Sequence, residues 1–436
     1  MLEIVPCKSI DSVVRLPGSK YIANRLLPMC ALASSPSLLT NVVDNDDIQA
    51  AIAGFSALGY HLKLTGNRLD IQPRKQMLST EVTLNTLHSG TFSRFVTAVA
   101  ALESVAVTIK CSKKMATRPM HELFSALTEL GVDIQSDNQM LPAVIQGGVT
   151  EDRCQLNAGR SSQFLSALLI IAPLLKNGLK VTLVGEQVSN SYVDMTVYWM
   201  NRMGIEVIRD KNFLEVKPEQ DYQGIDVSIP GDAVSASYFM GLAGIAGGRI
   251  VIQSFDHHSL QGESKFYKVL ELMGMRFEKT ENEIIAISDG QLKGIEIDMG
   301  EMPDVVQTLA VMACFAKGIT HIKNIAHLAY KESNRIKDTA TELQKTGIKV
   351  EYGDDFLLIE GGIPKAAVID TYDDHRMAMS MALLGARTVG VIIKDQNVVN
   401  KSFPNYWTLM GQCGLGSKCI STLSPLGRGL GRGNKE

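Results

Sequence analysis

The sequence predicts an α/β fold assembled from six copies of one supersecondary unit. Amphipathic helices that end on glycine recur along it: "AIAGFSALG", "ELFSALTELG", "VYWMNRMG", "YKVLELMG", "TELQKTG" and, more weakly, "WTLMGQCG". Their glycines, Gly59, Gly131, Gly204, Gly274, Gly347 and Gly414, are separated by 72, 73, 70, 73 and 67 residues. A second, more apolar helix recurs about once per unit, and strand-like runs follow both kinds. A sustained period of this kind marks a repeated structural unit rather than chance.

The glycine supplies the left-handed cap that ends the amphipathic helix. In the first five units a strand-like run follows it: "YHLKL", "VDI", "IEVI", "MRFE" and "IKVE". The more apolar helices are "SKYIANRLLPMCALA", "SGTFSRFVTAVAAL", "SSQFLSALLIIAPLL", "DAVSASYFMGLAGIAG", "PDVVQTLAVMACFAKG" and "DDHRMAMSMALLGA". They are apolar nearly all round, which predicts central, buried helices. "AVTIK", "KVTLVG", "RIVIQS", "ITHIKN" and "VGVIIK" follow most of them as strands. The unit therefore reads strand, buried helix, strand, surface helix, strand.

A chain of 436 residues has room for two or three domains with sizeable cores. With 45% hydrophobic and 20% charged residues it is globular in composition. A net charge of −3 lacks the basic surplus of a nucleic-acid binder, so no nucleic-acid partner is expected. A local basic cleft for a small anion is compatible with that balance. Cys7, Cys30, Cys111, Cys154, Cys314, Cys413 and Cys419 are scattered and form no C-x-x-C pair. This pattern fits a reducing compartment rather than a disulfide framework or a zinc cluster. Neither a signal peptide nor a membrane-spanning run is expected, so the prediction is a cytoplasmic protein with no membrane partner. The Gly/Arg-rich end "SPLGRGLGRGNKE" has no apolar periodicity, and a disordered tail is expected there.

The chemistry is signalled at the helix starts. Lys20, Ser89-Gly90, Ser161-Ser162-Gln163, Asp232, Asp304 and Asp373-Asp374 fall at or near the starts of the buried helices. The first N–H groups of a helix lack partners and carry partial positive charge, which suits phosphate or carboxylate. Serine and aspartate are also ordinary N-caps, so one such start decides nothing. Basic residues join the same starts. Arg25, five residues after Lys20, and Arg94 and Arg376 lie early in otherwise apolar helices, where unpaired charge is costly. Arg118 precedes Pro119 at the mouth of a helix. Lys331, Glu332 and Arg335 crowd another start, with Lys331 and Arg335 expected on one helical face. Lys401 lies in the loop "NKSFPNYW". A solvated face or an aspartate partner explains any one of these cations; together they favour a bound anion. His257-His258 and His321 lack ligand spacing and are expected on the surface or in loops, so no metal is expected. Cys111 has no adjacent base that would make it a nucleophile.

The blocks "PGSK..ANR", "SGT..R", "TRPM", "SSQFLSALL", "SYVDMT", "PGD..SASYF", "PDVVQTLA", "KESNRIKDTATELQK", "YDDHRMAMS" and "KSFPNY" run in order from about residue 10 to residue 415. In that order they resemble the signature blocks of the 3-phosphoshikimate 1-carboxyvinyltransferase (EPSP synthase) family of enolpyruvyl transferases. The resemblance implies a two-domain inside-out α/β barrel with three βαβαββ repeats per domain. Residues 18–228 would form one domain, residues 1–17 with 229–418 the other, and 419–436 the tail. It implies transfer of the enolpyruvyl group of phosphoenolpyruvate to a hydroxyl of shikimate 3-phosphate, releasing phosphate, by addition and elimination through a tetrahedral intermediate. Asp304 is then the implied base and Glu332 the implied proton donor, with Lys20 close to the chemistry. Lys20, Gly90, Arg118, Gln163, Arg335, Arg376 and Lys401 would hold phosphoenolpyruvate. Tyr21, Arg25, Ser161, Ser162, Gln163, Ser189, Tyr192, Asp304, His327 and Lys331 would hold the acceptor. The resemblance implies no cofactor and no metal, and a monomer is expected.

Three positions depart from the family pattern. Its P-G-S-K-S block ends here in Tyr21, where the family's serine helps bind the acceptor's carboxylate beside Arg25. His88 and His327 stand where the family usually carries asparagine. The departures gather around the acceptor and the carboxylate of phosphoenolpyruvate. A paralogue acting on another phosphorylated cyclic alcohol is therefore the alternative, with a non-catalytic phosphoenolpyruvate-binding homologue behind it. The latter predicts loss of Asp304, Glu332 or Lys401, and all three are present.

Overall fold

The protein is described by a computed structural model covering residues 1–8, 10–74, 76–157, 159–185 and 190–420. Ser189 and the tail from residue 421 lie outside the described residues. In chain order the helices are α1 (Lys20–Ala31), α2 (Asp46–Ala57), α3 (Gly90–Ala100), α4 (His121–Glu129), α5 (Ser162–Ile171), α6 (Asn190–Arg202), α7 (Ala233–Ala246), α8 (Phe266–Leu272), α9 (Val306–Ala313), α10 (Arg335–Lys345), α11 (His375–Ala382) and α12 (Tyr406–Gln412).

The odd-numbered helices are the apolar ones, and they are buried. Within α1, α3 and α5 the residues that are not buried are Tyr21, Thr91 and Gln163, each at or next to the helix start. Every residue of α9 and α11 is buried. The even-numbered helices are amphipathic and lie outside. Each is followed by its predicted glycine in left-handed geometry, from Gly347 at φ 81° to Gly274 at φ 101°. A residue with Cβ resists that conformation, so glycine ends the helix and turns the chain into the next strand.

Six four-stranded sheets share one plan. Two strands are parallel, and a third and fourth follow antiparallel. The plan runs, for example, Val82–Asn85, Ala106–Lys110, Ala143–Gln146, Asp133–Ser136. In four of the sheets the buried helix connects the parallel pair and supplies the crossover that parallel strands need. In two sheets the first strand arrives from far away in sequence. Asp226–Ser228 pairs with Ser37–Thr40, and Ile10–Arg15 pairs with Gly248–Gln253.

The buried apolar residues fall into two clusters. One runs from Ile22 to Ile229; the other joins Leu2 to Leu16 with Ala233 to Leu415. Helix α3 packs against α1 and α5 in the first, and α9 packs against α7 and α11 in the second. The chain passes between the clusters at "LPGS" and "IPGD". There Ser19 N–H donates to Pro230 O at 2.8 Å and Asp232 N–H donates to Pro17 O at 2.9 Å. No described helix is long and apolar enough to cross a membrane.

Three expectations are corrected. The tail does not begin at 419: Cys419 ends the strand Gly416–Cys419, paired with Leu2–Val5, and Ile420 N–H donates to Met1 O. Its partner is the other end of the chain, so local periodicity carried no sign of it. The same strand completes the sixth unit, for which the sequence predicted none. Lys331 and Arg335 share no helical face, because α10 starts at Arg335, capped by Asn334, and Lys331 is extended at φ −87°, ψ −151°.

Candidate active site

The starts of α1, α3 and α5 face those of α9 and α11 across a cleft between the two clusters. Lys20 opens α1 behind Ser19, Gly90 opens α3 behind Ser89, and Ser162 opens α5 behind Ser161. Asp304 lies in the short turn Pro303–Val305 ahead of α9, and Asp374 caps α11, accepting from Arg376 N–H. Helix starts therefore line the cleft from both sides.

The cleft holds three adjoining cavities. One of about 40 Å³ is lined by Lys20, Gly90, Arg118, Gln163, Arg335 and Arg376, with Asp304 and Glu332. A second of about 40 Å³ is lined by Arg25, Ser161, Ser162, Tyr192, His327 and Lys331. Tyr21, Thr91, Gln163, Asp304 and Lys331 border both. The third, about 360 Å³, opens beyond Arg118, Glu332 and Lys401 and is also lined by exposed His88. Every described residue predicted for the site lines one of these cavities.

The charges lining the cleft are paired, most of them within one half. Arg335 donates from Nη1 to Asp304 Oδ1, from Nη2 to Glu332 Oε2 and from Nε to Asp374 Oδ2, each at 2.8 Å. Lys401 Nζ reaches Glu332 Oε1 at 2.7 Å, and Arg118 Nη1 lies 3.6 Å from the same oxygen. Lys20 Nζ donates to Asp47 Oδ2 at 3.1 Å. Arg376 donates to Tyr238 Oη at 2.9 Å, to Asp304 Oδ2 at 3.4 Å and to the Tyr21 hydroxyl. Burial alone would raise the Asp304 carboxyl, but Arg376, Lys331 and Arg335 outweigh it and hold it well below the ordinary value. Glu332 is held low in the same way: burial opposes it, and Lys401, Arg118 and Arg335 prevail.

Among the described residues, the buried arginines Arg25 and Arg94 find no carboxylate. Arg25 Nε donates to Thr196 Oγ1 at 2.8 Å, and its guanidinium stands 5.5 Å from the Tyr192 ring centre. Burial pulls it down to about 10. Arg94 Nη1 donates to Gln163 Oε1 at 2.7 Å and to Gly90 O at 3.2 Å, and burial with the nearby charge of Arg118 pulls it down to about 9. Arg94 thus braces two cleft residues, while Arg25 faces the second cavity directly. Arg118 keeps buried Nε and Nη1 without hydrogen-bond partners. Lys331, pulled down by burial, makes no hydrogen bond among the described residues. Burial also lowers His327 to about 4, so it is neutral, with Nε2 unpartnered.

The structure adds residues that the sequence did not single out. Asp47 neutralises Lys20, although in "NDDIQ" it reads as an ordinary acid of a first helical turn behind the Asn45 cap. His375 is buried at the start of α11 with both ring nitrogens unpartnered, and burial with the neighbouring cations keeps it neutral. Glu263 accepts the Tyr192 hydroxyl at 2.9 Å and Asp304 N–H at 3.3 Å, behind both residues. Its block "LQGESKF" carries no local signal, because its partners lie 71 and 41 residues away. Cys111 is half-buried and raised by burial, the opposite of an activated thiol. Among the described residues no cluster of His, Cys, Asp and Glu is placed to hold a metal ion.

The family model for EPSP synthase (3-phosphoshikimate 1-carboxyvinyltransferase) matches residues 4–410. A relative named 3-phosphoshikimate 1-carboxyvinyltransferase from Shewanella denitrificans is 37% identical over 416 residues, covering 93% of this chain and 97% of the relative. One of the same name from Cronobacter sakazakii is 35% identical over 424 residues, covering 94% and 98%. A solved structure of EPSP synthase from Acinetobacter baumannii superposes with a TM-score of 0.79 at 24% identity, covering 96% of this chain and 99% of that one.

Proposed function

The chain belongs to the EPSP synthase family, and we propose that it transfers the enolpyruvyl group of phosphoenolpyruvate to a hydroxyl of shikimate 3-phosphate, releasing phosphate. The observation that carries this reading is the pair Asp304 and Glu332, bridged by one guanidinium, Arg335, on a wall that also presents Lys20, Arg118, Arg376 and Lys401. Addition of an alcohol to an enol phosphate needs one group to take the hydroxyl proton and another to protonate the methylene carbon. It also needs cations for a trianionic donor, and arginine's planar fork fits carboxylate and phosphate.

In this reading Asp304 accepts the proton of the acceptor's hydroxyl as its oxygen bonds to C2 of phosphoenolpyruvate, and Glu332 delivers a proton to C3. The tetrahedral intermediate then loses phosphate from C2 and a proton from C3, giving the enol ether. Lys20, Gly90, Arg118, Gln163, Arg335, Arg376 and Lys401 hold phosphoenolpyruvate. Arg25, Ser161, Ser162, Ser189, Tyr192, His327 and Lys331 hold the acceptor, with Tyr21 bordering it. Glu332 must carry a proton to act as an acid, yet its cations keep it ionised. A bound phosphate that draws Lys401 and Arg118 onto itself weakens their hold and raises the Glu332 carboxyl toward the protonated form. The donor thereby primes its own acid.

The halves are taken as residues 18–228 and 1–17 with 229–418, a division supported by the two apolar clusters. The chain is taken to act as a monomer. All seven cysteines are free, which supports a cytoplasmic setting. Asp304→Asn keeps the shape of the base and removes its basicity. We expect phosphate release from phosphoenolpyruvate and shikimate 3-phosphate to fall by about 10²- to 10⁴-fold in kcat, with acceptor affinity changed far less. Equal losses of both in calorimetry and steady-state kinetics would reject Asp304 as the base.

A further inference from the structure

The Tyr21 side chain occupies the centre of the cleft. It leaves α1 on one side, and its hydroxyl donates to Asp304 Oδ2 and accepts from Arg376 Nη2 on the other. It is packed against both apolar clusters, and its ring lies 5.4 Å from that of Tyr192. Arg25 Nη1 donates to the Tyr21 backbone carbonyl at 3.0 Å and makes no hydrogen bond to its hydroxyl. The hydroxyl is thus turned away from the cation expected to share an acceptor carboxylate with it.

Both oxygens of Asp304 are taken in this arrangement. Oδ1 accepts from Arg335 at 2.8 Å, and Oδ2 accepts from Tyr21 with Arg376 at 3.4 Å. With Thr91, Gln163, Asp304 and Lys331, Tyr21 also lines both interior cavities, of about 40 Å³ each. Each has room for a few waters, not for a phosphorylated six-membered ring. Burial keeps the phenol protonated, so it remains a donor to the carboxylate.

We propose that Tyr21 is an internal latch and selectivity gate: its phenol stands in for the acceptor's hydroxyl between Arg376 and Asp304, closing the cleft on itself, and an acceptor binds only by displacing it. The chemistry of the displaced group defines what can displace it. The newcomer must donate to a carboxylate and accept from a guanidinium through one oxygen, which is the signature of an alcohol. A serine in this place could not reach across the cleft. The identity of the alcohol as shikimate 3-phosphate rests on the enolpyruvyl-transfer reading; the latch itself does not.

Tyr21→Phe retains the ring and removes both hydrogen bonds, and Tyr21→Ser removes the ring as well. Each variant is compared with the unaltered chain by calorimetric titration with shikimate 3-phosphate and by phosphate release with phosphoenolpyruvate. The latch predicts tighter acceptor binding in both variants. The expected gain is about tenfold, or about 1.4 kcal/mol, appearing in KM rather than kcat and larger for Ser than for Phe. Unchanged or weaker acceptor binding overturns the latch. A loss of kcat in Tyr21→Phe without tighter binding overturns it in favour of a proton relay through the phenol. Tighter binding in the variants with no phosphate release from any of the three proteins keeps the latch and rejects the proposed reaction.

Discussion

At the residue scale, the cleft is governed by ionisable groups that burial would penalise singly and that stand only because they answer one another. Arg335 is wholly enclosed and is satisfied by three carboxylates at once. Glu263 is the exception on the acidic side. Burial, reinforced by the charge of Asp304, pushes its carboxyl up to about 7. Its Oε2 has no partner, while Oε1 serves both Tyr192 and Asp304. A carboxyl raised from its unfolded value binds more protons in the folded state. Its contribution to stability is therefore full below about pH 4.5 and lost as pH rises through 7. The loss is at most about 3 kcal/mol. Glu263→Gln keeps an oxygen for both donors and removes the charge. We expect it to gain stability on the unaltered chain by about 1–3 kcal/mol at pH 8, with the gap shrinking toward pH 5. Denaturant titrations at both pH values measure this, and a gap independent of pH would contradict it.

At the scale of the element, the helix start is the working unit. Gly90 opens α3 directly beneath Arg118. A Cβ there would lie 2.4 Å from Arg118 Nη1 and 2.7 Å from its Cζ, so only glycine lets the guanidinium lie across the helix start. Gly90→Ala should displace Arg118 without unfolding α3, since alanine favours the helix. We expect kcat/KM for phosphoenolpyruvate to fall on the order of 10- to 100-fold, with acceptor affinity largely retained. An unaltered KM for phosphoenolpyruvate would show that Arg118 does not touch it. The importance of these starts was legible in the sequence, because small and charged residues interrupt otherwise apolar helices at Lys20, Gly90, Ser161, Asp304 and Asp374. The partners of those residues were not. Nothing near Lys20 points to Asp47, and nothing near Tyr192 points to Glu263, because each pair meets through packing of different units.

At the scale of the whole molecule, two crossing segments join the clusters and leave the cleft between them. They are related in detail as well as in sequence. A Cβ on Gly18 would lie 1.8 Å from Asn41 O, and one on Gly231 would lie 2.3 Å from Ser254 O. Asn41 and Ser254 are themselves left-handed, at φ 57° and 64°. Each glycine thus lets one segment pass flush against a carbonyl of the next unit. Gly18→Ala should force the crossing apart and destabilise the fold by about 1–3 kcal/mol or more, seen as a lower denaturant midpoint. An unchanged midpoint would mean that the crossing yields freely.

The sequence by itself determined the repeat, the two kinds of helix and the starts at which the cations stand. Those features are local: hydrophobic period, glycine caps and breaks in an apolar run are written within about fifteen residues. Tertiary structure alone decided which charges answer which, that Cys419 pairs with the N-terminal strand, and that Lys331 reaches the cleft from extended chain rather than from a helix. It also decided the place of Tyr21. The sequence marks it as a bulky residue where the family carries serine, but only the meeting of α1 with the starts of α9 and α11 puts its hydroxyl between Asp304 and Arg376. The physical reason is range. Helices and turns arise from neighbours along the chain, whereas electrostatic pairing in a cleft is set by folding that brings residues 283 and 355 positions apart within hydrogen-bond distance.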